Sequence, residues 1–247
     1  MKKQSNLYIF MYSSIMVIVV AALLSLASTT LKPFQQKNIE TEKRLDILKS
    51  VGRAAEIASA KNKHEYVGSE FKQVIAQQLV VNRAGEIIED VDPFAIDLKV
   101  EFAKPQAEQN LPVFVATLSD GATKYILPLQ GKGLWGPIWG YISLNDDFNT
   151  VYGASFAHKG ETPGLGAEIA NPDFQQQFKG KQIYKNSQFV SISVIKGGAG
   201  STNLNGVDAV SGGTITSQGL EKMIKDCLMG YQEFFNKTKN QSNERED

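Results

Sequence analysis

The chain has 247 residues, 42% of them apolar and 21% charged, an ordinary globular composition with room for one large domain or two small ones. Its 26 basic residues balance 26 acidic ones, so no basic field points to nucleic acid as a partner. The single cysteine, Cys227, excludes an internal disulfide and a cysteine-ligated iron–sulfur cluster built from this chain alone.

Leu7 to Ala27 is a run of 21 uncharged residues rich in Ile, Val, Leu, Met and Ala. As a helix it spans about 31 Å of hydrocarbon, which reads as one transmembrane anchor. The rival is a cleaved signal peptide, with Lys2 and Lys3 as its basic start and Ser25-Leu26-Ala27 as its cleavage site. The apolar run exceeds the roughly 7 to 15 residues of such a segment, which favours the anchor. Lys2 and Lys3 on one side stand against Lys32, Lys37, Lys43 and Arg44 on the other, so charge alone leaves the orientation open.

Helical spacing of Leu45, Leu48, Val51 and Ala55 predicts a helix over Ile39–Ala58, and a second is expected over Glu65–Leu79, before the Asn82-Arg83-Ala84-Gly85 turn. Runs of β-formers at Leu98–Phe102, Val113–Leu118, Lys124–Leu127, Ile138–Leu144 and Val151–Ala157 predict an antiparallel sheet. A short helix over Ala167–Phe178, interrupted at Pro172, is followed by a strand at Phe189–Ile195 and a flexible loop at Lys196–Ser201. Leu220, Met223, Ile224, Cys227, Leu228, Tyr231, Phe234 and Phe235 form one broad apolar helix face that must pack on the sheet. The polar tail from Lys237 is expected to fray. The fold class is α+β, divided into an N-terminal tail and anchor (1–31), a helical segment (32–95), an α+β domain (96–236) and a tail (237–247).

Asp208-Ala209-Val210-Ser211-Gly212-Gly213-Thr214 stands directly before that last helix. Hydroxyls, glycines and the unpaired N–H groups of a helix start suit a phosphate, with Thr216 or Ser217 available as the cap. The same residue types also close ordinary helix-entry turns. Two further segments stand out, Gly131-Lys132-Gly133-Leu134-Trp135-Gly136 with Trp139-Gly140-Tyr141, and His158-Lys159-Gly160-Glu161-Thr162-Pro163-Gly164-Leu165-Gly166. The first has the glycine spacing of a dinucleotide fingerprint, but Pro137 and the β-formers after it oppose the helix that fingerprint needs. No catalytic dyad and no metal-ligand set is read from the chain, and Cys227 on an apolar helix face is a core residue.

The three segments, in this order, resemble the FMN-binding domain family. Ser211-Gly212-Gly213-Thr214 after Asp208 is similar to its flavinylation motif, with Gly213 where alanine is usual. The resemblance implies covalent FMN attached through its phosphate to Thr214. Ser211, Gly212, Gly213, Ile215, Thr216 and Asp208 would surround the attachment point, and Glu161, Thr162, Leu165, Gly166, Trp135, Trp139 and Tyr141 would lie against the flavin. It also implies that a separate flavin transferase makes the bond, taking FMN from FAD. By size, anchor and motifs the chain resembles the C-subunit family of sodium-translocating NADH:quinone oxidoreductases. That family implies an assembly of six subunits in a bacterial inner membrane, with a periplasmic flavin domain relaying electrons toward quinone, while Na+ export belongs to the whole assembly. The G subunit of the ferredoxin:NAD oxidoreductase complex is the nearest alternative. A membrane-tethered binding or scaffold protein without flavin is an alternative of another class.

Overall fold

A computed structural model describes residues 6–55, 57 and 60–246. Helix α1 runs from Asn6 to Ser50 without interruption, passing through Pro33. Among the described residues it is the one helix long and apolar enough to cross a membrane, and its apolar window is fully exposed. Lys2 and Lys3 lie outside the described residues.

The chain divides into two compact units, the second beginning at Lys43. The expected helix over Ile39–Ala58 is not separate from the anchor, and it stops at Ser50. Its end is a Schellman turn. The N–H groups of Arg53 and Gly52 return to the carbonyls of Leu48 and Lys49, at 2.9 and 3.0 Å, with Gly52 at a left-handed φ of 70°. Glu56 and Ala58, also placed in that helix, lie outside the described residues.

Helix α2, Lys63–Val74, is capped by Asn62, whose side chain accepts from the Glu65 N–H. It passes directly into strand β1, Ile75–Asn82, where the sequence pattern suggested helix as far as Leu79. Pairing with β2, Asn110–Thr117, decides the conformation there, with Leu79 opposite Val113 and Val81 opposite Leu111. The strand expected at Leu98–Phe102 is instead a short helix, α3, Leu98–Glu101. Asp97 at its start accepts from the Lys99 N–H at 2.9 Å, and this cap outweighs the β preference of Val100 and Phe102.

Strands β1, β2, β3 (Thr123–Lys132), β4 (Pro137–Asn145) and β5 (Val151–His158) form an antiparallel meander in sequence order. After a 3-10 turn at Gly166–Ala170, helix α4 covers Pro172–Gln176. A small hairpin joins β6, Tyr184–Lys185, to β7, Gln188–Phe189. The strand expected at Phe189–Ile195 is split, because Ser191 takes a φ of 63° and both Val190 and Ser191 donate to the Ile183 carbonyl. The resumed strand β8, Ser193–Ile195, pairs in parallel with β9, Gly206–Asp208.

Helix α5, Thr214–Met229, lies on one face of the sheet. Its apolar stripe, continued by Tyr231, Phe234 and Phe235, joins Val113, Leu127, Leu129, Ile138 and Ile142 in the main core. The stripe bends at Gly230–Tyr231 into α6, Gln232–Glu246, so the tail expected to fray is helical. Its Glu, Lys and Gln residues are good helix formers that extend a helix already nucleated by packing. On the other sheet face, Leu45, Ile47, Leu48 and Val51 pack with Val67, Phe71, Phe114, Ile126 and Tyr141 in a second core.

Candidate functional site around Thr214

Val210 to Gly213 forms a turn closed by the Gly213 N–H on the Val210 carbonyl at 3.1 Å, with Gly212 at a φ of 71°. Gly213 is the residue before α5, and no side chain caps that helix. Thr214 is therefore the first helical residue. It is half-buried, and among the described residues its hydroxyl has no hydrogen-bond partner. Ser211 and Gly212 are exposed beside it, and Ile215 is 55% exposed.

Neither Thr216 nor Ser217 caps the helix. Both are buried inside its first turn, each 1% exposed. Ser217 Oγ accepts from the Val210 N–H at 3.1 Å, and Thr216 Oγ1 donates to Glu161 Oε2 at 2.5 Å. Packing of the first turn against the body of the domain has turned these hydroxyls inward.

Glu161 joins the three sequence segments. It is 4% exposed, yet its carboxylate is well supplied with donors. Besides Thr216, it accepts from the Trp135 N–H at 2.9 Å, and the backbone N–H groups of Leu134 and Gly136 lie close enough to favour its charged form. Burial pushes its pKa up, but the bonds from Thr216 and the Trp135 N–H, with the nearby N–H groups of Leu134 and Gly136, outweigh burial and leave it lowered. The backbone N–H of Glu161 is itself held by His158 Nδ1 at 3.2 Å. Glycines clear the space for this carboxylate. A Cβ on Gly133 would lie 2.6 Å from Glu161 Oε1, and one on Gly166 would lie 2.6 Å from Oε2.

Between Glu161 and Gly166 the chain makes a Pro-Gly turn, with the Leu165 N–H on the Thr162 carbonyl at 3.1 Å and Gly164 at a φ of 73°. The turn carries Leu165 onto the Thr214 turn, so that a Cβ on Gly212 would lie 2.5 Å from Leu165 Cδ2. Gly213 in turn packs near the Gly166 backbone. Leu134, Trp135, Leu165 and Ile215 remain 46%, 70%, 42% and 55% exposed, a set of apolar side chains on the segments that Glu161 joins.

Trp139 and Tyr141 are not part of this arrangement. Tyr141 packs on Phe114 in the second core, and strand alternation puts Trp139 on the same sheet face, opposite α5. Burial, with a smaller contribution from the nearby Asp46 charge, raises the Tyr141 phenol far above its ordinary pKa. Asp208 is engaged elsewhere, accepting from the Ala199 N–H at 2.6 Å and so holding the glycine-rich 196–200 loop. The backbone N–H groups of Leu134 and Gly136 were not among the site groups expected from sequence. The only sequence signal for them was the glycine pair at 133 and 136.

Residues 133–229 match the FMN-binding domain family. The chain is 31% identical over 240 residues to the C subunit of the Na(+)-translocating NADH-quinone reductase of Vibrio vulnificus (strain YJ016), covering 90% of this chain and 91% of that protein. It is 33% identical over 228 residues to the C subunit of Neisseria meningitidis serogroup B (strain ATCC BAA-335 / MC58), covering 85% of each. Among solved structures, the C subunit of the Na(+)-translocating NADH-quinone reductase of Parabacteroides distasonis ATCC 8503 superposes with a TM-score of 0.73 at 42% identity, over 83% of this chain and 96% of that one. Shewanella oneidensis NqrC superposes with a TM-score of 0.67 at 27% identity, over 81% and 99%. The matched domain contains the Thr214 turn, the Glu161 carboxylate and the loop it holds, and the likeness to these C subunits extends over most of the chain. The protein belongs to the C-subunit family of Na(+)-translocating NADH-quinone reductases.

Proposed function

We propose that this chain is the flavin-carrying electron-transfer subunit of a membrane-bound, sodium-translocating NADH:quinone reductase, with FMN joined through its phosphate to Thr214 Oγ1. The observation that carries the reading is the state of Thr214. Thr214 is only half-buried and its hydroxyl is without an internal partner among the described residues, at the start of a helix that no side chain caps, while its neighbour Thr216 is fully committed to Glu161.

The residues fit the group. Gly212 and Gly213 add no side chain beside the hydroxyl, and first-turn N–H groups with the positive helix end suit the charge of a phosphate. Leu165, Ile215 and Trp135 offer apolar surface near a ring system. Bound FMN would supply one-electron redox chemistry. The polypeptide would hold its phosphate, shield part of the ring from water and set the distance to neighbouring redox centres.

Thr214 lacks a general base within hydrogen-bond reach among the described residues, so the chain does not modify itself. A separate flavin transferase would remove the hydroxyl proton, form the oxygen–phosphorus bond with the FMN half of FAD and release AMP. The anchor would hold the domain at the bacterial inner membrane, with the domain on the periplasmic side and the remaining subunits as partners. Na+ export would be a property of the assembly.

Co-expression of the full chain with a flavin transferase tests the assignment. The denatured band should fluoresce under ultraviolet light, and the peptide containing Thr214 should be heavier by FMN minus water. Thr214→Ala should give a dark, folded protein, with stability changed by about 1 kcal/mol or less. A wild-type chain that stays unmodified beside a positive control for the same transferase would overturn the reading.

A further inference from the structure

A cleft of about 420 Å³ lies along α5, walled by the turn after β1, the 102–109 segment and the end of β3. None of the residues proposed to hold FMN lines it. Its distinctive residue is Arg83. The guanidinium is half-buried, with Nε donating to Gln109 Oε1 at 2.7 Å and Cζ 5.8 Å from the Phe102 ring centre. Gln109 is itself buried and fixed, since its Nε2 donates to the Lys104 carbonyl at 2.9 Å. Arg83 is thus held in position by one of its five N–H groups. Burial lowers its pKa from the ordinary value, so the charge is partly stripped of water.

A cation partly withdrawn from water, and held in a fixed orientation, is well placed to take an anion. Among the described residues no carboxylate forms an ion pair with Arg83 or with Lys132, the second unmatched cation on the cleft. The other two lysines of the cleft are neutralised, Lys104 by Glu101 at 2.7 Å and Lys222 by Asp226 at 2.6 Å. The end of α5 also approaches Arg83 near Gly230, but a helix C-terminus offers only a partial negative charge. The cleft therefore carries two positive charges without counter-charge among the described residues. Phe102 and Met223 give it apolar wall, and its volume falls within the range of small-molecule sites.

We propose that this cleft binds a small ligand carrying a phosphate or carboxylate on a compact apolar body. The oxyanion would take the free N–H groups of Arg83, with Lys132 as a second cation, and the apolar body would lie against Phe102 and Met223. The planar fork of arginine suits both oxyanions.

The test is calorimetric titration of the purified full chain in detergent with phenyl phosphate, benzoate and phenol. Saturable one-to-one binding of phenyl phosphate or benzoate, with none for phenol, is expected, and the tighter of the two identifies the oxyanion. Arg83→Gln and Lys132→Gln should each weaken it at least tenfold with circular dichroism unchanged, while Lys196→Gln, in the 196–200 loop outside the cleft, leaves it alone. Should Arg83→Gln fail to fold, the exposed Lys132 decides. Absence of saturable binding by both anions, or binding as tight in Lys132→Gln as in wild type, would overturn the proposal. The readout does not involve flavin, so its failure is separable from failure of the flavin assignment.

Discussion

Glu161 and Thr214 look alike in the sequence, as polar members of two short motifs, and the fold gives them opposite fates. Thr214 is left open, whereas the Glu161 carboxylate is buried and surrounded by donors. Glu161→Gln presents an amide N–H₂ to groups that are themselves donors, so it should cost about 1 to 3 kcal/mol in urea unfolding. The pH dependence has a defined sign. The native pKa is lowered, so the carboxylate's stabilisation is complete above the unfolded-state value and is lost as pH falls through the native one. The stability gap between wild type and Glu161→Gln should be constant from about pH 7 to pH 5 and close below about pH 4. A gap that persists into acid would show that the carboxylate's charge is not what the donors hold. The glutamate was legible as a motif member. Its bond to Thr216 was not, because the two residues lie 55 positions apart and nothing in local spacing encodes the contact.

Helix α5 shows what periodicity can and cannot specify. Every residue of its apolar stripe is in the main core, so the buried face was fully legible. Its distance from the sheet was not, because that depends on residues lacking side chains. A Cβ on Gly219 would run into the Lys132 carbonyl oxygen, and one on Gly131 would meet Met223. Gly219→Ala should push the first turns of α5 off β3 at a cost of about 1 to 3 kcal/mol. Under the proposed modification, it should also lower the yield of flavin attachment relative to wild type. Normal loading with normal stability would mean that the close approach is not needed. The misread elements have physical causes as well. Ile75 to Leu79 were drawn into the sheet by pairing, and Leu98 to Glu101 were turned into a helix by the Asp97 cap. The end of α1 did have a local signal, since Gly52 is the residue a Schellman turn requires.

For the molecule as a whole, the anchor helix does not end where the apolar run ends. Leu45, Ile47, Leu48 and Val51 belong to the second core of the Lys43–Asp247 unit. A chain beginning at Lys43 should therefore be soluble and keep a cooperative melt at the full chain's temperature, with helical circular dichroism reduced only by the missing 6–42 part of α1. One beginning at Arg53 loses four buried apolar side chains, worth about 6 to 12 kcal/mol at about 1.5 to 3 each. That is comparable with the whole stability of a domain, so the shorter chain should show no cooperative melt. Equal melting of the two would mean that the Leu45–Val51 segment is dispensable.

The contact between Glu161 and Thr216 also bears on the order of events in the cell. In the native fold the carboxylate meets α5 from the chain that follows β5, and it also holds the 133–136 loop between β3 and β4, so the contact joins segments far apart in the sequence. A newly made chain, or a short peptide containing Ser211 to Ser217, has the attachment residues without their shape. Under the proposed modification, loading would follow folding. Each flavin-bearing chain would be a certified one, and misfolded copies would stay colourless.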